Sequence, residues 1–256
     1  MQYHEVVPSA SSPIARIWFA RGDGGPRETI LPDGRYELVF NFGDVVMQDG
    51  AAQPRAMLAA ETRRAVAIEP AGRADFVGVT LRDGFAARIL GAPLRELRDC
   101  MIDLRALDRR LDLHERLQER SDDERAALLI DAFRDGESDP LAHRAALLIR
   151  RGGGAVSISR LALACGVTVR TLGRAFDRAI GLTPKTLARI TRLGRAAAML
   201  RAGASGADAA LDAGYFDQAH MTNEFRAMAG VSPSRWIDLP GVLGVQFLQD
   251  QVPPRA

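Results

Sequence analysis

Short apolar runs separated by turn residues fill the first third of the chain. The run from Tyr36 to Phe42 is rich in strand-forming residues, and the turn sequence Pro32-Asp33-Gly34 precedes it. Residues 66–69 and 76–81 are similar short runs. Several short strands with Gly and Asp between them favour a small antiparallel barrel or sandwich over alternating strands and helices. We therefore predict a β-rich, barrel-like region over residues 1–82.

Apolar residues take up helical spacing in the part of the chain that follows. They recur three or four positions apart in three segments: residues 85–90, 107–119 and 125–133. Pro140 stands where a further helix begins, and we expect this helix to continue to Arg151. Three consecutive glycines, residues 152–154, follow this helix, and glycine is unfavourable inside a helix. The pattern predicts a helical extension of the first domain over residues 83–151 and a linker at residues 152–154.

An internal repeat follows the predicted linker. The first copy places its marker residues at Leu161, Gly166, Leu172, Phe176, Gly181 and Thr183-Pro184. The second copy places them at Ala209, Gly214, Met221, Phe225, Gly230 and Ser232-Pro233. In both copies the last glycine follows the phenylalanine by five residues, and a hydroxyl residue and a proline come two residues later. A spacing that recurs in this way predicts one supersecondary unit present twice.

The physical chemistry of each copy predicts two helices joined by a tight turn. Gly166 and Gly214 follow stretches rich in Ala and Leu, where a residue that tolerates positive φ can end a helix. Thr168 and Asp217 can cap the helix that follows. This is the order of a helix-turn-helix unit, whose second helix enters the DNA major groove when the unit binds DNA.

The second helix of each copy has an apolar face and a polar face. The apolar residues of each helix are four positions apart and therefore lie on one side. The polar residues opposite them are Arg170, Thr171, Arg174 and Arg178 in the first copy and Gln218, His220, Thr222 and Asn223 in the second. Arg can pair with guanine in the major groove, and Gln and Asn can pair with adenine. We therefore predict that these polar residues contact double-stranded DNA.

A long helix is predicted between the copies. Thr183-Pro184 provides an N-cap and a first-turn proline, and an apolar stripe continues towards Gly203. A helix of about 18 residues is about 27 Å long, which would hold the two reading helices about one DNA turn apart. Arg189, Arg192 and Arg195 lie along it at three-residue spacing. They are candidates for phosphate contacts, and a structural role against the helix-turn-helix units is the alternative.

Charge separates the two parts of the chain. The net charge of the 256 residues is +2, but residues 1–149 hold 20 Arg and 25 acidic residues, a net charge of −5. Residues 150–240 hold 12 Arg, one Lys and 6 acidic residues, a net charge of +7. A basic domain joined to an acidic one favours a polyanionic partner, such as nucleic acid, for the basic domain alone.

Composition narrows the class of protein. Hydrophobic residues make up 47% of the chain and charged residues 26%, which is typical of soluble globular proteins. The apolar runs are too short to cross a membrane, so we expect a cytoplasmic protein without a membrane partner. Cys100 and Cys165 form no CxxC pair, and the four histidines do not cluster in the sequence. No metal site, disulfide framework or cofactor is therefore predicted.

The second copy of the repeat contains a distinctive run of residues. The stretch from Gly214 to His220 (Gly-Tyr-Phe-Asp-Gln-Ala-His) is followed by Phe225, Gly230-Val-Ser-Pro233 and Trp236. This run resembles the second-motif signature of the AraC/XylS family of transcription regulators, and the resemblance covers residues 158–236. It implies two helix-turn-helix motifs joined by a long helix, with the polar faces of both reading helices towards DNA. A small-molecule effector, RNA polymerase and a second copy of the chain are the further partners to consider.

The amino-terminal part has a second, separate resemblance. Leu31-Pro-Asp-Gly34 and the strand from Leu38 to Asn41 resemble the sensor-type domain that precedes some AraC-type DNA-binding domains. This implies a cupin-like β fold and no particular ligand. We therefore predict a multidomain α and β protein, in which a β-rich domain with a helical extension precedes an all-α double helix-turn-helix domain. The predicted segments are a regulatory domain (1–151), a linker (152–154), a DNA-binding domain (155–240) and a tail (241–256).

The predicted function is that of a sequence-specific transcription regulator without catalytic activity, controlled through its amino-terminal domain by a small molecule or by dimerisation. One alternative is an enzyme or metal-binding cupin-like protein with an accessory DNA-binding domain. His4 is the only histidine before His114, so the β domain is short of metal ligands, which counts against this alternative. A second alternative is a nonspecific architectural DNA binder, which sequence preference would distinguish. In the tail, Val242 to Asp250 alternate partly like a strand.

Overall fold

Two antiparallel sheets form the amino-terminal part of the protein in the computed structural model, which describes residues 1–107 and 113–239. The six-stranded sheet contains, in spatial order, β1 (Gln2–Val6), β2 (Ile14–Asp23), β9 (Arg73–Leu81), β4 (Glu37–Asn41), β7 (Ala56–Ala59) and β10 (Met101–Asp103). The four-stranded sheet contains β3 (Glu28–Ile30), β8 (Val66–Pro70), β5 (Val46–Gln48) and β6 (Ala51–Ala52). The predicted β-rich fold is confirmed, and its three predicted strands correspond to β4, β8 and β9. The two sheets remain separate and do not close into one barrel.

The central strands β2, β9 and β4 of the six-stranded sheet are buried on both faces: successive residues point to opposite sides of a sheet, and runs of consecutive residues in these strands are buried. Strands β2 and β9 form its longest pair, in which Phe19 lies opposite Val77. These two residues belong to the core between the sheet and the helices that cover it. Trp18 and Phe76 belong to a second core, which they share with Ile68 of the four-stranded sheet. The sheet is thus the central layer of the domain.

Short helices cover one face of this sheet. In the described part of the chain they are α1 (Ala86–Leu90), α2 (Leu94–Leu97), α3 (Leu104–Leu107), α4 (Leu113–Leu117) and α5 (Asp122–Ala132), and α6 (Pro140–Arg151) follows them. The helices predicted near residues 85–90, near residues 125–133 and from Pro140 to Arg151 are confirmed as α1, α5 and α6. Part of the helix predicted at residues 107–119 lies outside the described residues, as does the tail with its predicted strand.

The carboxyl-terminal part is helical. Its helices are α7 (Ile158–Ala164), α8 (Val169–Ala179), α9 (Pro184–Arg201), α10 (Gly206–Asp212), α11 (Gln218–Ala229) and α12 (Pro233–Asp238). Each begins after a Ser, Thr or Asp whose side chain accepts a hydrogen bond from the backbone N–H three residues later. The N-caps predicted at Thr168, Thr183 and Asp217 are confirmed. No helix within residues 1–107 and 113–239 combines the length and the apolar composition needed to cross a membrane.

Helix α9 runs through the core of the carboxyl-terminal part. The apolar pairs of the two repeats, Leu172 with Phe176 and Met221 with Phe225, are fully buried in this core. Helix α6 packs into the same core through residues that include Ile149, although its place in the sequence had assigned it to the amino-terminal extension. A long central helix therefore supports both helix-turn-helix units and α6 together.

The glycines predicted as a linker form a tight turn at the end of α6. Gly153 and Gly154 have φ angles of +60° and +77°, and both are buried. A Cβ atom at Gly154 would lie 2.2 Å from the carbonyl oxygen of Ala188 on α9. Glycine is required at this position because the backbone of the turn contacts the backbone of α9 and its φ is positive. The turn holds the end of α6 against α9.

Candidate nucleic-acid interface

The first helix-turn-helix unit consists of α7, a turn at Gly166 and the reading helix α8. Gly166 has a φ of +71°, and the hydroxyl of Thr168 accepts a hydrogen bond of 3.1 Å from the backbone of Thr171. Arg170, Thr171 and Arg174 are exposed on the amino-terminal half of α8. Arg178, at its carboxyl end, is exposed but forms an ion pair with Asp139. Three of the four predicted side chains thus lie between the amino-terminal end and the middle of the helix.

The second unit consists of α10, a longer turn and the reading helix α11. Gln218, His220 and Asn223 are exposed on α11, and Thr222 is half-buried. The carboxylate of Asp217 accepts a hydrogen bond of 2.6 Å from the backbone of His220. The ring of His220 lies edge-on to Tyr215, with ring centroids 5.4 Å apart. All four predicted side chains are on the amino-terminal half of the helix, as in the first unit.

The three arginines of α9 contact protein groups. Arg189 donates a hydrogen bond of 2.6 Å to Glu224 on α11. Arg192 lies 3.6 Å from the same carboxylate, and its guanidinium lies 5.3 Å from the ring centroid of Tyr215. Arg195 packs against the glycine turn, where a Cβ at Gly153 would be 2.4 Å from its Nη1. These contacts are of the kind expected if the three arginines support the helix-turn-helix units. Contact of these residues with DNA phosphates stays a prediction.

Two loops of the amino-terminal domain reach the DNA-binding helices, and we call them the docking loops. They are residues 60–65, which follow β7, and residues 98–100, which precede β10. The backbone of Asp99 donates a hydrogen bond of 3.1 Å to that of Glu61. Arg63 donates two further side-chain hydrogen bonds, of 2.6 and 3.0 Å, to the Asp99 carboxylate. Because β7 and β10 are paired strands, the docking loops form one connected unit.

The docking loops contact the carboxyl-terminal halves of both reading helices. Arg98 forms an ion pair of 2.7 Å with Asp177 of α8. The backbone N–H of Ala65 donates a hydrogen bond of 2.7 Å to the carbonyl of Met228 in α11. One unit of the amino-terminal domain therefore holds both reading helices at the ends opposite to their exposed polar residues.

A buried carboxylate lies in this contact. The side chain of Glu61 is fully buried and lies 3.8 Å from the guanidinium of Arg98. It faces Gly181, in the turn between α8 and α9, where a Cβ would be 2.9 Å from its Oε1. Burial raises the pKa of Glu61 to about 7, and the Tyr36 hydroxyl and the Arg98 charge offset only part of this effect. Sequence reasoning missed Glu61, since a single acid after a strand carries no distinguishing pattern.

Helix α6 provides a further contact between the two parts of the chain. The guanidinium of Arg150 donates two hydrogen bonds, of 2.6 and 2.8 Å, to the carboxylate of Asp83. It also donates a hydrogen bond of 3.0 Å to the carbonyl of Asp33. Bidentate pairing fixes both distance and orientation. The last turn of α6 is thus fastened to the amino-terminal domain.

Cavities of a size suited to a small molecule lie at two places in the described part of the chain. One, of about 610 Å³, lies between the docking loops and the second unit and is lined by residues that include Thr62, Arg63, Arg64, Asp99, Thr186 and Arg189. The other, of about 420 Å³, lies in the amino-terminal domain and is lined by residues that include Asn41, Phe42, Arg55, Arg73, His114 and Arg125. The described residues bring together no group of three side chains suited to a metal ion.

Helix-turn-helix units with exposed polar side chains on the second helix are the arrangement found in helix-turn-helix DNA-binding domains. Residues 161–238 match the family model described as a helix-turn-helix domain. The carboxyl-terminal part of the chain is therefore a helix-turn-helix domain of the AraC type, the fold of DNA-binding transcription regulators, as the sequence resemblance predicted. Residues 5–103 match a domain of unknown function, DUF6597.

Several solved structures are similar to this chain. ToxT from Vibrio cholerae is 11% identical, with 87% of this chain and 97% of that chain covered and a TM-score of 0.49. The carboxyl-terminal domain of AraT, a response regulator from Geobacillus stearothermophilus, is 22% identical, with coverages of 39% and 85% and a TM-score of 0.38. An AraC-type transcriptional regulator from Chromobacterium violaceum is 24% identical, with coverages of 39% and 90% and a TM-score of 0.37. No curated protein matches the chain.

Proposed function

We propose that this protein is a sequence-specific transcription regulator that reads two successive major-groove segments with α8 and α11. The proposal rests on one observation: along each reading helix, the predicted DNA-contacting side chains and the contacts to the amino-terminal domain lie at different ends. Seven of the eight predicted DNA-contacting side chains lie between the amino-terminal end and the middle of the two helices, Arg178 being the exception, and the contacts to the docking loops are on the carboxyl-terminal half. The amino-terminal residues of a recognition helix are those that contact base edges in helix-turn-helix complexes. The reading ends are therefore open to DNA.

The two reading helices differ in their chemistry, so they are expected to prefer different bases. Arg170 and Arg174 of α8 favour guanine, whose O6 and N7 accept a bidentate pair of hydrogen bonds. Gln218 and Asn223 of α11 favour adenine, whose N6 and N7 match an amide. The proposed site is thus asymmetric, with a G-containing segment and an A-containing segment about one helical turn apart.

The experiment that tests this proposal is a titration of the purified protein against genomic duplex fragments at two salt concentrations. Fragments that stay bound at the higher salt concentration are then footprinted. Specific fragments should stay bound because phosphate contacts weaken with salt, whereas base contacts persist. We expect protection over about two helical turns on one face of the duplex, since each reading helix covers one major-groove segment. Equal affinity for all duplexes, lost at the higher salt concentration, would instead identify a nonspecific architectural binder.

We further propose that the amino-terminal domain controls DNA binding through the docking loops. This rests on the contacts of a single connected unit with both reading helices. A small molecule that shifts this unit, or a second copy of the chain that packs on it, would change the relative placement of α8 and α11. Coupling of this kind requires that the effector prefer one arrangement of the two domains over the other.

Breaking one docking contact tests the proposed control. Arg98→Ala removes the ion pair with Asp177 and the charge beside Glu61, and Arg95→Ala removes the same charge from the exposed surface of α2, three residues earlier. We expect Arg98→Ala to change the affinity for the footprinted site several-fold and to leave the preferred bases unchanged. Arg95→Ala should behave as the wild type. If the two variants bind alike, the Arg98 contact does not influence DNA binding.

The remaining proposed partners are RNA polymerase and a second copy of the chain. One chain bound to the asymmetric site should protect about two helical turns. A second chain bound at a neighbouring site should lengthen the footprint, so its length distinguishes one bound chain from two. Sedimentation of the protein with the footprinted duplex measures the number of chains bound. Transcription from a template with the site, with and without the protein, distinguishes activation from repression by RNA polymerase.

A further inference from the structure

The turns of the two helix-turn-helix units differ in length by one residue. Leu172 follows Gly166 by six residues, but Met221 follows Gly214 by seven. The later spacings are equal, since Phe176 and Phe225 each follow four residues after these apolar residues. The second unit therefore has one additional residue between the end of its first helix and the start of its reading helix.

The additional residue places a phenyl ring in solvent. Tyr215 is buried beneath the guanidinium of Arg192, and Asp217 is the N-cap of α11. Phe216 lies between these two fixed residues and is 91% exposed, more than any other large hydrophobic side chain in the described part of the chain. Its ring therefore contributes little to folding, and its position next to the open end of the reading helix needs another explanation.

The chemistry of the major groove offers a partner for this ring. The 5-methyl group of thymine is an apolar group exposed in the groove, and phenylalanine is one of the side chains that contact it. Gln218, two residues further along, is suited to adenine, so a thymine is expected close by. Asp217 is the next residue in the chain, and its negative charge disfavours a nearby phosphate. A base edge is thus the better neighbour for Phe216 than the DNA backbone.

We propose that Phe216 determines specificity by packing against the 5-methyl group of a thymine in the segment read by α11. This inference rests on the proposed function and adds a residue to it. Phe216 would act by apolar contact, whereas the reading residues of α11 act by hydrogen bonding. The ring would bury the methyl group only when α11 lies in the groove.

The experiment replaces each thymine of the footprinted segment, one at a time, with deoxyuridine, which lacks only the methyl group. The affinities of the wild type and of Phe216→Ala are measured on every duplex. We expect one replacement to weaken wild-type binding about three- to tenfold, the effect of exposing one buried methyl group. The same replacement should leave the affinity of Phe216→Ala unchanged. Phe216→Leu, which keeps an apolar side chain, should retain part of the effect.

Other outcomes overturn the inference in distinct ways. If the wild type and Phe216→Ala lose affinity equally on the same duplex, another residue contacts the methyl group. If no replacement weakens the wild type, Phe216 does not read thymine. If Phe216→Ala binds every duplex as the wild type does but fails to regulate transcription, the ring contacts a protein partner instead. Absence of any preferred duplex for the wild type removes the proposed function itself, whereas the other outcomes leave it intact.

Discussion

The carboxylate of Glu224 on the second reading helix accepts a hydrogen bond of 2.6 Å from the guanidinium of Arg189 on the connecting helix. Glu224 is only 12% exposed, and Arg192 lies 3.6 Å from it on the opposite oxygen. One acidic residue thus faces two arginines between α9 and α11. Because solvent screens a partly buried pair less than an exposed one, this contact helps to hold α11 against α9 and offsets part of the positive charge on α9.

Replacing this acid should separate its two effects. We expect Glu224→Gln to lower the free energy of unfolding by about 1–3 kcal/mol, because a charged hydrogen bond is lost in a partly buried place. It should also raise the affinity for nonspecific DNA at low salt, since two arginines lose their counter-charge. Urea unfolding and binding at several salt concentrations measure these changes. Asp212→Asn removes one negative charge from the exposed surface of α10 and is the matched control. Equal effects of both variants would show that the change in net charge, and not the loss of the Arg189 contact, causes them.

Removal of one reading arginine tests the assignment of the first unit. Arg174→Ala should weaken binding to the footprinted site by about 1–3 kcal/mol and relax the preference at one base pair. Arg160→Ala removes the same charge from α7 and should leave the base preference unaltered. Competition with duplexes that carry each base pair in turn measures both quantities. An unchanged affinity of Arg174→Ala for the site would show that Arg174 does not contact a base.

The DNA-binding helices could be predicted from sequence because their determinants are local. Gly166 and Gly214 end helices, Thr168 and Asp217 cap the next ones, and the apolar pairs mark the buried face, all within a few residues of each other. The strands β1 and β2 were not predicted. One partner of β2 is distant in sequence, as with Ile17 opposite Val79, and β1 pairs with β2, so the formation of both strands depends on tertiary packing.

The candidate site was predictable only in part for the same reason. Exposure of Arg170, Arg174 and Gln218 follows from helical periodicity and is confirmed. The pairing of Arg178 with Asp139 joins residues 39 positions apart, on α8 and before α6. No local pattern relates such residues, because their contact depends on how the helices pack. The same holds for the docking loops, whose residues are far in sequence from the helices that they hold.

Two phenylalanines of the second unit provide a matched test of burial. Phe225 is fully buried and packs against Trp236, with ring centroids 6.2 Å apart. We expect Phe225→Ala to lower the free energy of unfolding by about 3–5 kcal/mol, because it leaves a cavity in the core. Phe216→Ala makes the same chemical change at an exposed position and should leave the melting temperature within about 1 °C of the wild type. Equal melting temperatures of the two variants would contradict the assigned buried face.

Two glycines are expected to respond in opposite directions to the same substitution. Gly154→Ala should destabilise the protein, since φ is positive and the new Cβ would meet the Ala188 carbonyl at 2.2 Å. Gly173 lies inside α8, and a Cβ there meets no atom within 4 Å. Gly173→Ala should therefore raise the free energy of unfolding by about 0.5–1 kcal/mol through the higher helix propensity of alanine. Urea unfolding of both variants measures the signs, and a stabilising Gly154→Ala would show that the turn is not held against α9.

Glu61 makes the stability of the domain contact depend on pH. Its pKa rises from 4.5 to about 7 on folding, because burial disfavours the charged carboxylate. Between these two values the folded protein holds a proton that the unfolded chain has released. The free energy of unfolding is therefore expected to decrease as the pH rises through this window, and the decrease is complete above pH 7.

Glu61→Gln should remove this pH dependence, since an amide is neutral throughout the window. As the pH rises from 5 to 8, the wild type should lose a free energy of unfolding on the order of 1–3 kcal/mol that the variant does not lose. Urea unfolding at the two pH values measures the difference. The same substitution at exposed Glu69 tests whether loss of any one carboxylate has this effect. If Glu61→Gln keeps the wild-type difference, Glu61 is ionised in the folded protein, and the Arg98 guanidinium compensates fully for its burial.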